Sequence, residues 1–307
     1  MDIPDRIMEG KVAVVTGAGG GIGRAIALMM AQQGAKVVVN DLGTSVSGEG
    51  KNESVAQKVV DEIRAQGGEA VANTDSVADW DGAHRIVQTA VDAFGRIDAV
   101  VNNAAILRDV IFHKMSKEDW DLSLSVVLTG GFYVSRAAAT YFRQQGSGSF
   151  VHISSSSGLI GNSGQANYSA GKIGLVGLSK SIALDMQRFN VRSNVVAPTA
   201  FTRMTESIPT KTPEAAKYMA GREHIPVEKN APLVVFLSSD AAKDVTGQVF
   251  YSRKNEIIMF SQMRPLQRIH KSEGWTPQDI ARHMLPAFKG SFYPLDRTRE
   301  VFPTHLP

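Results

Sequence analysis

The sequence predicts an α/β fold in which a single doubly wound parallel sheet is flanked by helices and followed by a C-terminal extension. Strand and helix signals alternate regularly from the start of the chain, which is typical of a parallel sheet with helices on both faces. The first strand signal, KVAVVT at residues 11–16, is an uninterrupted β-branched run, as expected for a strand buried on both sides. A glycine cluster separates this run from the first helical pattern.

Each further element follows from periodicity and flanking residues. Helical periodicity predicts helices at 22–33, 51–66, 79–94, 117–145, 166–188 and 230–238. Apolar runs predict strands at 37–39, 69–73, 97–101, 149–153, 191–196 and 247–251. The 307 residues suit one large domain or two small ones, but no linker interrupts the series. We therefore expect one core domain at 1–260 and an extension at 261–307.

The extension has its own helix signal and its own charge. Thr276, Pro277 and Asp279 have the spacing of a capping box with a proline in the first turn. Residues 251–307 carry nine basic and five acidic residues, so their net charge of +4 exceeds the +3 of the whole chain. The extension also contains five aromatic residues, too many for a free tail, and we expect it to pack on the core or on a neighbouring subunit.

Composition excludes several classes of function. The chain lacks cysteine, which excludes disulfides and thiolate catalysis and is compatible with a reducing compartment, so we expect a cytoplasmic protein. Its seven histidines lack the spacings of zinc motifs, so no metal site is expected. No apolar run approaches the roughly 18 residues of a membrane span. The basic residues are spread out rather than interleaved with stacking aromatics, which argues against nucleic-acid binding.

The glycine cluster, TGAGGGIG at residues 16–23, lies between the first strand and the first helix. Glycine allows a backbone to turn tightly and to approach a pyrophosphate, and a helix N-terminus offers free N–H groups and the positive end of its dipole. A glycine cluster alone is also compatible with a mere tight turn. Its position after a first strand favours dinucleotide binding.

An acidic residue supports this interpretation. Asp41 follows the second predicted strand, where its carboxylate can accept hydrogen bonds from an adenosine ribose diol and repel a 2′-phosphate. The alternative is an aspartate that only stabilises a turn. No basic residue lies among the glycines or directly after Asp41 to receive an additional phosphate. The sequence therefore favours NAD over NADP.

Three residues form a candidate catalytic set. Tyr168 and Lys172 are four residues apart at the start of a predicted helix and share one face. An ammonium near a phenol favours phenolate, so we expect the pKa of Tyr168 to be lowered towards neutrality, which suits a proton donor and acceptor. Ser155 lies at the end of a predicted strand, where its hydroxyl could hold a substrate oxygen. A chance surface pair is the alternative for the tyrosine and lysine alone.

Together these motifs resemble the short-chain dehydrogenase/reductase family over residues 10–250. The resemblance includes the glycine turn, NNAA at 102–105, Ser155, the YxxxK of Tyr168 and Lys172, and NVVAP at 194–198. VVVNDLG at 37–43, VANTDSV at 71–77, GRIDAVVNNAAILRD at 95–109 and GQANYSAGK at 164–172 are similar to one subgroup. That subgroup is the (3R)-hydroxyacyl-CoA dehydrogenase module of peroxisomal multifunctional enzyme type 2, also called a 17β-hydroxysteroid dehydrogenase, with bacterial relatives in fatty-acid and steroid side-chain β-oxidation.

The resemblance implies a Rossmann-type domain that binds NAD, with specific residues at the adenosine half. The pyrophosphate would be held by Gly17, Gly21, Ile22 and Gly23. The adenosine ribose would be bound by Asp41. The adenine would lie beside Asp75, Ser76 and Val77.

At the nicotinamide half, the resemblance implies that Asn103 lies along the cofactor, that Lys172 binds the ribose and that Tyr168 also contacts the cofactor. The carboxamide would meet residues 198–202, with Pro198 and Ala200 as contacts and Thr202 as the hydrogen-bonding hydroxyl. Catalysis would be carried out by Ser155, Tyr168 and Lys172.

Three departures from the family pattern affect these expectations. Val127 stands where most members have an asparagine that serves a water-linked proton relay to the lysine, although multifunctional-type modules can lack it too. Ala105 and Thr199 replace glycines, and each is expected to add a side chain beside the cofactor. RKNE at 253–256 replaces the glycine pair usual after the last strand.

The resemblance implies reversible hydride transfer between a secondary alcohol and NAD. We expect a 3-hydroxyacyl-CoA substrate, with steroid-like and alicyclic acyl groups among the candidates. A neutral hydroxysteroid or terpenoid alcohol is the alternative enzyme substrate, and a non-catalytic NAD-binding scaffold is the alternative class. The family also implies a homodimer or homotetramer formed through helices 117–145 and 166–188.

Overall fold

The computed structural model describes residues 3–201 and 225–302, and these contain an eight-stranded sheet. The strands are β1 Val12–Thr16, β2 Lys36–Asn40, β3 Glu69–Asn73, β4 Ala99–Asn102, β5 Gly148–Ile153, β6 Val191–Thr199, β7 Val249–Arg253 and β8 Glu256–Met259. Their order is β3-β2-β1-β4-β5-β6-β7-β8; β1 to β7 are parallel, and β8 is antiparallel to β7. The strand order reverses between β1 and β4, the place where such sheets bind ligands outside their carboxyl ends.

Helices connect the strands. In the core they are α1 Gly21–Gln32, α2 Ser54–Ala65, α3 Trp80–Phe94, α4 Lys117–Gln145, α5 Ser156–Leu159, α6 Ala166–Met186 and α7 Ala231–Ser238. The extension contains α8, which runs through Pro277–Asp279, the π-helical Ile280–Met284 and Leu285–Phe288, and α9 Thr298–Val301. Thr276 and Asp279 form the predicted capping box. The predicted α/β class with a doubly wound parallel sheet is confirmed, and the predicted boundaries shift by a few residues.

The core has one layer on each face of the sheet. Val15 packs with Ile26 and Met30 of α1 on one face, whereas Val14 packs with Ile86 of α3 and Phe142 of α4 on the other. Successive residues of a strand point to opposite faces, so both faces of β1 are buried. This burial explains why the first strand signal is continuous rather than alternating.

Within the described residues, α4 is the one helix long and apolar enough to cross a membrane, by length and composition alone. The core helix of a globular protein passes the same test. Val134, Ala138 and Phe142 of α4 are fully buried in the layer against the sheet. We therefore regard α4 as a core helix of the domain.

The strand β8 is not among the predicted elements. It forms a hairpin with β7 in which Arg253 pairs with Glu256, and the turn between them places Lys254 at φ +52°. The strand has four residues, and three of them are exposed, so it carries no apolar pattern. The RKNE segment that departs from the family pattern is therefore the turn of this hairpin.

The extension returns to the core at its end. The backbone N–H of Thr298 donates to the carbonyl of Gly161 at 3.1 Å, and Thr298 is buried. The ring of Phe302 stacks on Tyr251 of β7, with 4.4 Å between centroids. Much of the chain between is exposed, including Met263. The domain boundary at residue 260 stays a prediction.

Candidate active site

A cavity of about 470 Å³ lies at the carboxyl ends of the strands, beside the glycine turn. This volume falls in the range of small-molecule and cofactor sites. The cavity is lined by every described residue that the sequence singled out as catalytic or cofactor-binding: Gly17, Gly21, Ile22, Gly23, Asp41, Asp75, Ser76, Val77, Asn103, Ser155, Tyr168, Lys172, Pro198 and Ala200. The remaining predicted contact, Thr202, lies outside the described residues.

The glycine turn has no room for side chains. A Cβ on Gly23 would lie 2.2 Å from the carbonyl oxygen of Gly17, and Gly17 itself adopts φ +63° against Ala104. Asn103 fixes the turn from the end of β4, because its side-chain amide donates to the carbonyls of Thr16 and Gly17, each at 2.9 Å. The backbone at this turn therefore approaches the cavity closely, as a bound diphosphate would require.

The N-terminus of α1 is open towards the cavity. Its N-cap is Gly20, no side chain caps it, and no acidic residue lies in its first turn. The first N–H groups of a helix lack intrahelical partners and carry the positive end of its dipole, so they bind anions. With the glycine turn, this N-terminus fits the diphosphate of a dinucleotide.

Asp41 lies at the end of β2, next to the glycine turn. One carboxylate oxygen accepts the N–H of Gly19 at 2.8 Å, and the other accepts the N–H of Gly43 at 2.7 Å. Each carboxylate oxygen has a second acceptor site, so a ribose diol can still bind. The two hydrogen bonds from backbone N–H groups hold the negatively charged carboxylate of Asp41 in a fixed position.

The predicted adenine pocket is held by a polar network. Asp75 accepts hydrogen bonds from Arg85 at 2.7 Å and from the side-chain amide of Asn73 at 2.9 Å. The amide of Asn40 in turn donates to Asn73 at 2.9 Å. Val77 is buried against Gly130, which has no room for a Cβ. The carboxylate of Asp75 therefore lines the pocket and also holds Arg85 and Asn73 in place around it.

The predicted catalytic set comes together from two elements. Ser155 caps the short α5, where its hydroxyl accepts the N–H of Ser157 at 3.1 Å. Tyr168 and Lys172 lie on α6, with the ammonium 5.5 Å from the centre of the phenol ring. Lys172 is buried, and its Nζ donates to the carbonyl of Ile153 at 2.7 Å.

The expected lowering of the tyrosine pKa is wrong for this structure. Burial raises the pKa of Tyr168 to about 12, a hydrogen bond with Ser155 lowers it in part, and Asp109 raises it further. Burial also lowers the pKa of Lys172 to about 7. Removing a phenolate from water costs more free energy than the nearby lysine can offset by stabilising its charge. The lysine offsets little because it is itself only partly charged near neutral pH.

A buried ammonium also makes stability depend on pH, and Lys172→Met tests this. The folded-state pKa of about 7 lies below the ordinary 10.5. Between pH 10.5 and pH 7 the unfolded chain therefore binds a proton on this lysine that the folded chain does not bind, so the free energy of unfolding falls as the pH falls. Below pH 7 this loss of stability has reached its full size. We expect Lys172→Met to raise the Tm at pH 6 by roughly 5 °C and the gain to vanish as the pH approaches 10.5.

Differential scanning calorimetry from pH 6 to pH 10 would measure this gain. The exposed Lys58 on α2 provides a matched control, since Lys58→Met removes a solvated ammonium. A gain for Lys172→Met that stays constant over the whole pH range would contradict the prediction.

The other two departures from the family pattern lie near the active site. Val127 is buried within the π-helical segment Ser125–Thr129 of α4 and packs close to Gly171, the residue before Lys172. Its side chain is apolar, so it cannot serve a proton relay to the lysine. The expectation that Thr199 adds a side chain beside the cofactor is wrong. Its hydroxyl donates to the Tyr251 hydroxyl at 2.6 Å and is buried behind the cavity wall, whereas Ala105 does line the cavity.

Several cavity residues were not predicted from the sequence. They include the segment around Val46 after β2 and three polar residues beside Ser155, namely Ser157, Asn162 and Gln165. Gln165 stands one helical turn before Tyr168, within a motif that resembles the subgroup. Its place in that motif is the one feature of the sequence from which Gln165 could have been predicted as a site residue.

Comparisons with known proteins show which family the chain belongs to. A family model for short chain dehydrogenases matches residues 11–213. Peroxisomal multifunctional enzyme type 2 of Mus musculus is 48% identical over 78% of this chain, which spans 31% of that protein. A hydroxyacyl-CoA dehydrogenase of Mycobacterium tuberculosis is 37% identical, covering 92% of this chain and 90% of its own length.

A solved structure is similar over nearly the whole chain. The crystal structure of a short chain dehydrogenase from Mycobacterium avium has a TM-score of 0.81 and 40% sequence identity, covering 94% of this chain and 97% of that one. The chain therefore belongs to the short-chain dehydrogenase/reductase family, whose members are oxidoreductases that act on CH–OH groups and typically use NAD(P).

Proposed function

We propose that this protein is an NAD-dependent dehydrogenase that interconverts a 3-hydroxyacyl-CoA and the corresponding 3-oxoacyl-CoA. One observation supports this most strongly. A single cavity contains the glycine turn, Asp41, Ser155, Tyr168 and Lys172. These residues supply a diphosphate cradle, an acceptor for a ribose diol and a hydroxyl–phenol–amine set for proton transfer.

In the proposed reaction, bound NAD would accept the hydride when the alcohol is oxidised and NADH would donate it when the ketone is reduced, while the chain's residues handle the oxygen and the proton. Ser155 holds the carbinol oxygen beside the phenol. In the direction of ketone reduction, Tyr168 donates its proton to the substrate oxygen, which its raised pKa allows because the phenol stays protonated at neutral pH. Lys172, with a pKa of about 7, is suited to pass a proton towards the tyrosine afterwards.

The substrate class rests on the comparisons and on the cavity wall. One relative that covers nearly the whole chain is named a hydroxyacyl-CoA dehydrogenase. Ile106, Leu107, Leu122 and Val126 give the cavity an apolar wall that suits an acyl chain. The same wall suits a neutral steroid or terpenoid alcohol, which is the second candidate substrate.

An activity panel tests cofactor and substrate together. Reduction of NAD and of NADP would be followed with 3-hydroxyacyl-CoA thioesters of short, long and steroid-like acyl groups, and with neutral hydroxysteroids. We expect kcat/KM to be at least about tenfold higher with NAD, because the Asp41 carboxylate repels a 2′-phosphate. Activity with none of these substrates would favour the non-catalytic scaffold and contradict the proposal.

Salt dependence separates the two substrate classes. Within the described part of the extension, Lys271 and Arg297 pair with Asp279 and Glu300, whereas Arg268 and Arg282 form no ion pair. If these free cations attract CoA phosphates, kcat/KM for a thioester should fall several-fold between 0.05 and 0.5 M salt. Turnover of a neutral alcohol should change little. If kcat/KM for the thioester does not change with salt, the extension does not take part in CoA binding.

We also propose a homodimer or homotetramer in the cytoplasm. Oligomers are expected from the family, and the cysteine-free composition is compatible with a reducing compartment. Analytical ultracentrifugation would give the oligomeric state. Cell fractionation would test the location, with a peroxisomal or other organellar fraction as the contrary result.

A further inference from the structure

A chain of hydrogen bonds runs along the substrate side of the cavity. The amide of Asn162 donates to the Ser157 hydroxyl at 2.9 Å, and that hydroxyl donates to the side-chain oxygen of Gln165 at 2.7 Å. The amide nitrogen of Gln165 then donates to the carboxylate of Asp109 at 2.7 Å. Every donor in this chain points the same way, and the chain ends on a carboxylate.

This direction fixes the orientation of the Gln165 amide. An ionised carboxylate accepts hydrogen bonds only, so the NH₂ group of Gln165, rather than its oxygen, must face Asp109. The Ser157 hydroxyl accepts from Asn162 and donates its own proton to the oxygen of Gln165. The amide therefore cannot flip without losing its hydrogen bond to Asp109.

The position of Asp109 is fixed by the backbone on both sides of it. The N–H of Val110 donates to the carbonyl of Gly164 at 2.9 Å, and the side chain of Asn167 donates to the carbonyl of Arg108 at 3.0 Å. Asp109 takes part in no ion pair within the described residues. Its described hydrogen bond is the one to Gln165, so Asp109 holds that amide in addition to raising the pKa of Tyr168.

One N–H of Gln165 remains available. An amide nitrogen carries two hydrogens, and among the described residues only Asp109 accepts one of them. Gln165 lines the cavity one helical turn before Tyr168, and Ser157 also binds Ser155 through its backbone. The free N–H therefore belongs to the same wall as the residues that hold the reacting oxygen.

We propose that Gln165 is a specificity-determining residue whose free N–H binds the thioester carbonyl oxygen of the substrate, and that Asp109 is the residue that positions it. This inference rests on the proposed function. A 3-hydroxyacyl or 3-oxoacyl thioester carries oxygens at C3 and at C1. Ser155 and Tyr168 bind the first, and Gln165 binds the second. A simple secondary alcohol lacks the second oxygen and cannot accept this hydrogen bond, so it forgoes one contact that a thioester makes.

Two CoA substrates that differ in one oxygen provide the test. One is 3-hydroxybutyryl-CoA, and the other is its thioether, S-(3-hydroxybutyl)-CoA, which keeps the alcohol and the CoA but lacks the carbonyl. For Gln165→Leu we expect kcat/KM for the thioester to fall about tenfold, mostly through KM, from the loss of one hydrogen bond. The value for the thioether should stay within about threefold.

Asp109 is tested by comparing two substitutions. Asp109→Asn keeps an oxygen that can accept from Gln165, so it should retain most of the preference for the thioester. Asp109→Leu removes that acceptor and should lose the preference as Gln165→Leu does. A Kd for NAD close to that of the wild type, together with an unchanged far-ultraviolet circular dichroism spectrum, would show that the fold and the cofactor half are intact.

The possible results are distinct. A wild type that oxidises neither CoA compound overturns the proposed function, and this inference with it. A wild type that prefers the thioester, with a Gln165→Leu variant that keeps the preference or loses both activities equally, overturns the inference alone. Loss of the preference in Gln165→Leu and Asp109→Leu, with its retention in Asp109→Asn, supports it.

Discussion

Replacing Tyr168 with phenylalanine is expected to lower kcat by about 10²- to 10⁴-fold, the usual contribution of general acid–base catalysis. The change removes one hydroxyl and keeps the ring that fills this position beside Lys172. The predicted diphosphate cradle lies on another element, the turn at residues 16–23, so the Kd for NAD should stay within about twofold.

Steady-state kinetics and fluorescence titration of NADH would measure the two quantities. Tyr141→Phe is a matched control, because it removes an exposed hydroxyl on α4 that bonds only to Gln88 in the described structure. That control should leave kcat unchanged. If Tyr168→Phe turns over near the wild-type rate, the phenol of Tyr168 does not take part in the proposed proton transfer.

The substitution Gly23→Ala should abolish tight cofactor binding by adding a single methyl group. Its Cβ would lie 2.2 Å from the Gly17 carbonyl oxygen and 2.5 Å from the side-chain nitrogen of Asn103. Both groups belong to the hydrogen-bonded clamp on the glycine turn, so the backbone must shift to make room. We expect the Kd for NAD to rise on the order of 10²-fold, as for a displacement of about 1 Å at a site. Overpacking of this kind should also cost about 1–3 kcal/mol of stability.

Isothermal titration calorimetry and thermal unfolding would measure these effects. Gly177→Ala on α6 is the control, because a Cβ there meets no atom within 4 Å. That change should keep NAD affinity and slightly stabilise the helix, since alanine is the better helix former. Normal NAD affinity in Gly23→Ala would show that the turn is not a cofactor cradle.

The sequence predicts the features of this protein that depend on local patterns. Continuous β-branched runs mark strands covered on both faces, and β1 shows why, since Val14 and Val15 enter different layers. The spacing of Tyr168 and Lys172 places them on one helical face whatever the tertiary structure. The glycine turn is recognisable because only glycine fits the contact between residues 17 and 23.

Features that depend on side-chain direction and burial were not predictable from spacing. Thr199 follows the cofactor motif in sequence, yet its hydroxyl bonds to Tyr251 on the next strand. The pKa of Tyr168 is decided by burial rather than by the neighbouring lysine. Gln165 and Asp109 are 56 residues apart, so their hydrogen bond needs the folded chain. The strand β8 is too short and too exposed to leave a pattern.

The hairpin formed by β7 and β8 restricts how a second molecule could extend the sheet. The outward backbone groups of β7 already bond to β8, with Phe250 opposite Met259 and Arg253 opposite Glu256. At this edge of the sheet an incoming strand would have to add to β8, whose four residues offer few backbone partners. Edge-to-edge joining through β7 is therefore blocked, and self-association must use surfaces other than that strand's backbone.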